Sequence, residues 1–120
     1  MKITPAQNKQ IKLLGLIMAC QETVALLDSE QGKTLEQDTP DLLQLLTLDM
    51  QTLVQQNLVN DTERKLMVAF KQCQNLLTPT QLVALKQVQQ RKQMELKQTK
   101  DKLDRLFLLA ELEHLAQLLA

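Results

Sequence analysis

The three prolines of this 120-residue chain all follow a threonine, at Thr4-Pro5, Thr39-Pro40 and Thr78-Pro79, and each pair precedes a helical pattern. A threonine at the N-cap accepts a hydrogen bond from the first turn. Proline at the first helical position sacrifices no bond, because that N–H has no helical partner in any case. Gly15 and Gly32 are the only glycines, so little else interrupts the pattern. A fourth start is expected at Asn60-Asp61-Thr62-Glu63, with Asn60 as N-cap and Glu63 closing a capping box. These starts predict an all-α fold: a single domain over residues 1–120, built as an antiparallel bundle of about four helices near 5–31, 40–59, 61–77 and 79–119. Leucine and glutamine abound, and aromatics are limited to two phenylalanines. That composition suits helices and argues against a β-sandwich or an aromatic platform for single-stranded nucleic acid.

Each expected helix carries an apolar stripe. In the first, Leu13, Ile17, Cys20, Val24 and Leu27 step 4-3-4-3, a coiled-coil seam, widened by Leu14, Met18 and Ala25. Gly15 lowers helicity and allows close approach of another helix. Gly32 either caps this helix or is passed over, with Leu35 as the last anchor. The second stripe is Leu43, Leu46, Met50 and Leu53. The third is Leu66, Ala69, Phe70, Cys73 and Leu76. Cys20 and Cys73 both fall on stripes and read as buried, reduced thiols, with no bridge implied.

The last helix is expected to run to about forty residues, long enough to bend or to project, and its end is apolar on two faces. One face carries Leu103, Leu106, Phe107, Ala110 and Leu118, and continues upstream through Leu82, Leu85, Val88 and Leu96. The other carries Leu108, Leu112, Leu115 and Leu119 and has almost no apolar continuation upstream. A helix apolar nearly all round must be covered on two sides. The second face is therefore the candidate partner-binding surface, with Met94 as an adaptable extension. Alternatively, the tail breaks after Lys102, folds back and buries both faces within the bundle.

Catalytic constellations are scarce. His114 is the only histidine. It follows Glu111 by three residues, but a di-iron bundle needs a second Glu-x-x-His and further carboxylates. We expect no metal and no cofactor, and read His114 as a surface residue near a helix C-terminus, where a cation is favoured. Without a phosphate-cradling loop or a catalytic dyad, the chain does not read as an enzyme. Basic and acidic residues balance at 14 each. An acidic stretch spans Glu22 to Asp49 and a basic one spans Lys86 to Arg105. They are expected to face each other and to set register more than stability. The basic charges are spread around their helix, which suits a solvated face rather than a nucleic-acid site. The apolar run from Ile11 to Ala19 is too short to cross a membrane, so a cytoplasmic protein without membrane insertion is expected.

One stretch resembles a known family. Leu26-Leu27-Asp28-Ser29-Glu30, then Leu35-Glu36-Gln37-Asp38, then Leu42 to Leu46 and Leu53, is similar to the N-terminal half of FlgN-type flagellar export chaperones. There, an acidic turn, an anchoring leucine and an Asp-containing break precede a Leu-rich second helix. The resemblance covers residues 11–58 and is as good to the related FliT-type chaperones. Asp49 and Gln51 stand where the FlgN second helix carries basic residues. Gln89 to Lys100 lacks that family's spaced asparagines, so the choice between the two types stays open. The resemblance implies a cytosolic chaperone of the flagellar type III export route. Such a protein binds the C-terminal helical segment of hook-junction or filament-cap subunits and delivers them to the export machinery. In the FliT type the last helix also covers the binding surface. The alternative is a homo-oligomeric helical structural or adaptor protein, such as a homodimer paired through the same leucines.

Overall fold

Two of the three Thr-Pro pairs start helices as expected. The computed structural model describes residues 2–47 and 49–119; the side chain of Leu43, expected on the second stripe, lies outside this description. Thr4 Oγ1 accepts from the Gln7 N–H while the Gln7 side chain accepts from the Thr4 N–H, opening α1 (Pro5–Val24). Thr78 and Gln81 form the same reciprocal box at the head of α6 (Pro79–Gln98). The middle pair does something else. The Leu42 N–H reaches the Thr39 carbonyl at 3.3 Å, with Pro40 and Asp41 between them and Asp41 at a φ of 70°. Proline followed by a left-handed residue is the geometry of a type II turn, and aspartate tolerates that conformation. The turn separates α2 (Ser29–Asp38) from the short α3 (Leu42–Thr47), while α4 (Met50–Gln55) starts at an Asp49 cap.

The first and last expected helices are each broken. The first stops at Val24, and Asp28 caps a new helix, its carboxylate accepting from the Gln31 N–H. The signal was local: aspartate with glutamine three residues on is a capping box. Gly32 thus lies inside α2, neither a cap nor the continuation of α1, and Leu35 is the buried anchor of that separate helix. The expected Asn60 cap is also displaced. Helix α5 (Val59–Leu76) begins two residues earlier, with Leu58 at its cap and no side-chain cap bond. Asn60 instead accepts from the Lys9 ammonium of α1. The last helix breaks at residues 99–101, where Asp101 accepts from the N–H groups of Leu103 and Asp104, and α7 (Lys102–Leu119) follows.

The described residues thus form seven helices and no strand, an all-α bundle as expected but with more pieces. Its axis is α1, which packs against α5, α6 and α7. Leu13, Leu16, Ile17 and Cys20 of α1 meet Leu66, Phe70 and Cys73 of α5, Leu85 and Val88 of α6, and Leu115 and Leu118 of α7 in one core. Leu35, Leu42, Leu46 and Leu53 close it from the side of α2, α3 and α4. Cys20 and Cys73 are free, buried thiols. Burial pushes the Cys73 thiol up to about 11, and burial together with the nearby Cys73 raises Cys20 further.

The glutamine-rich composition acquires a role at the junction of α2, α5 and α6. Gln31 and Gln81 hydrogen-bond each other in both directions, at 2.9 and 2.6 Å. Gln31 also donates to the Leu76 carbonyl and Gln81 to the Leu26 carbonyl. Those carbonyls lie at helix ends, where the helix itself supplies no donor.

Candidate functional site

Helix α7 is where the expected partner surface falls, and it turns inward. Doubling back at residues 99–101, it runs along α6, with Arg105 donating to the Leu96 and Thr99 carbonyls at 2.6 and 3.0 Å. Its main partner is α1. Gly15 permits the approach: a Cβ there would stand 2.6 Å from Ala110 Cβ and 2.8 Å from the Glu111 nitrogen. The close approach expected of Gly15 is therefore made by α7.

The candidate residues separate accordingly. Leu115 is fully covered and Leu108 is buried, whereas Leu112 and Leu119 are half-buried. Met94 is 62% exposed on α6. It lies two residues from Lys92, which reaches toward α7, and two residues is about 200° around a helix. Met94 therefore points away from the leucines it was expected to extend. The break occurs just before Lys102, and both apolar faces are engaged at home, although Leu103 and Leu109 remain exposed.

The most buried line of α7 is Leu108, Glu111, Leu115 and Leu118, a 3-4-3 seam with a carboxylate inside it. Glu111 has no exposed surface, and neither side-chain oxygen has a hydrogen-bond partner. Lys92 Nζ lies 3.6 Å from Glu111 Oε2 and 3.9 Å from Glu22 Oε1 of α1. Burial raises the Glu111 pKa; Lys92 opposes this, and Glu22 and Glu95 reinforce it. In the sequence Glu111 stood out only as the i−3 neighbour of His114, yet its i+3 offset from Leu108 and i−4 offset from Leu115 place it on the seam. Lys92–Glu22 is also the one ion pair, among the described residues, that joins the basic and acidic stretches.

Beside this seam, Leu14 of α1 and Phe107 of α7 divide two open clefts. One of about 270 Å³ includes Ile3, Ile11, Met50 and Leu103; the other, about 350 Å³, includes Met18, Lys92, Glu95 and Asp104. Half-exposed apolar side chains therefore flank the α1–α7 contact.

His114 is not on the surface. It is half-buried, edge-on to Phe70 with ring centroids 6.1 Å apart and an angle of 76°. Burial lowers its pKa, against the opposing pull of the Lys12 backbone and of Glu113 and Glu63. The cation favoured at an exposed helix end is thus disfavoured here. Among the described residues no group of three or more His, Cys, Asp or Glu is placed to hold a metal ion. No helix among them is long and apolar enough to cross a membrane.

The chain matches no family model, no curated protein and no solved structure in these three comparisons.

Proposed function

We propose that this protein is a flagellar export chaperone. It takes the C-terminal helical segment of a hook-junction or filament-cap subunit, keeps that subunit unassembled and passes it to the export machinery. The observation that supports this reading is the placement of α7: a helix apolar on two faces, joined to the bundle by a short break, with its leucine seam laid on α1. A partner's amphipathic helix replaces α1 on Leu108, Leu112, Leu115 and Leu119 when α7 swings at residues 99–101. Each leucine uncovered without replacement costs about 1.5–3 kcal/mol, so the seam opens only for a partner that covers it again. This is helix-in-groove recognition.

Titration calorimetry with the C-terminal helical segments of those subunits tests the reading. One segment is expected to bind at micromolar affinity or tighter. Leu112→Glu, at a half-buried position, is expected to abolish binding while the helical circular dichroism persists. Failure of every segment removes the flagellar assignment. A mass twice 13.7 kDa at all accessible concentrations then points to a homodimer instead.

A further inference from the structure

Glu111 is the only acidic or basic side chain buried among the described residues, and its surroundings suit its neutral form better than its ionised one. A carboxylate removed from water needs hydrogen bonds or a well-placed cation. Glu111 has no hydrogen bond, and 3.6 Å to Lys92 is beyond hydrogen-bond range. The groups that face it are Lys92 and Glu95 from α6 and Glu22 from α1. One ammonium thus answers three carboxylates, and it is shared with Glu22. Glu111 also stands where α7 packs tightly on α1, its own nitrogen 2.8 Å from where a Cβ on Gly15 would lie.

We propose that Glu111 is a proton latch on α7: the carboxylate takes one proton from solvent to become a neutral carboxyl that holds α7 on α1, and losing that proton loosens α7 at the 99–101 break. The sign follows from linkage. A carboxyl whose pKa is higher in the closed form than in the open one favours closure. That contribution is complete below the open-form pKa and is lost as pH rises through the closed-form value. Protonation also frees Lys92 to pair with Glu22, joining α6 to α1 beneath the closed helix. The latch concerns how α7 is held and does not depend on what a partner is.

Backbone hydrogen exchange of the full chain, corrected for intrinsic rates, reads it directly, with α5 peptides as the internal reference for global unfolding. As pH falls toward the ordinary carboxylate range, protection of α7 relative to α5 is expected to rise in the wild type compared with variants that lack the carboxyl, by up to about tenfold per pH unit while it titrates. Glu111→Gln and Glu111→Met each remove the titrating carboxyl and are expected to leave only the opposing pH dependence of His114, whose neutral form the closed helix favours. Lys92→Met removes the facing cation and extends the slope to higher pH. A pH dependence of α7 protection that is the same in the wild type as in both Glu111 variants overturns the latch.

Discussion

Two glycines in this chain have opposite consequences, and only one was readable as special. Gly15 faces the backbone of Ala110 and Glu111, which cannot yield as a flexible side chain would. Gly15→Ala is expected to lower stability. Overpacking costs about 1–3 kcal/mol, more than the roughly 0.5–1 kcal/mol that alanine gains as a helix former. Gly32 has nothing within 4 Å of its missing Cβ and lies inside α2. Gly32→Ala is expected to raise stability by roughly 0.5–1 kcal/mol. Urea unfolding of the two variants beside the wild type checks both signs. His114 titrates against Glu111. Its pKa is lowered in the folded chain, so its contribution is present above the ordinary histidine value and lost as pH falls from there toward the depressed one. Ring-proton resonances of His114 in the folded protein are expected to titrate below 6.5, and a value above that would contradict its burial against Phe70. Its position on a Leu-rich helix was legible; the ring that covers it comes from α5, forty-four residues away in sequence, and was not.

Capping chemistry decides the elements, and it is short-range enough to read. Thr4-Pro5 and Thr78-Pro79 were visible as starts; the boxes they close with Gln7 and Gln81 have the same spacing as Asp28 with Gln31. That last box was overlooked because the leucine stripe of α1 continues in phase through Leu27, so periodicity concealed a break that the cap dictates. The pairing of Gln31 with Gln81 was out of reach of any local rule. Each amide serves its own cap, the other amide and a distant helix end. Gln81→Ala leaves the Leu26 carbonyl and the Gln31 amide short of partners. A loss of about 1–3 kcal/mol is expected from such unmet buried groups. Gln31→Ala in the same background is expected to add less than it costs alone, since the two act as one unit. Denaturant unfolding of the double-mutant cycle measures that coupling.

For the whole molecule, what matters is where α7 lies. An extended C-terminal helix would have presented Leu108, Leu112, Leu115 and Leu119 to any passing surface; the folded-back one buries Leu108 and Leu115, half-covers Leu112 and Leu119, and leaves Leu103, Leu109 and Met94 outside. If the partner helix takes the place of α1, substrate binding requires α7 to move. Binding of the helical segment is then expected to increase hydrogen exchange at Gly15 and its neighbours in α1. Unchanged exchange there, with binding intact, would place the partner in the clefts beside Leu14 and Phe107 instead. The sequence by itself determined the helical class, the apolar stripes and most helix starts. Those follow from interactions spanning three or four residues, which a single chain read in order displays. Which stripe meets which, and that a glutamate shares the buried seam with leucines, was decided only by the tertiary structure. Two short breaks, at residues 25–28 and 99–101, redirect whole helices, and burial depends on what those turns bring together from far apart in the chain.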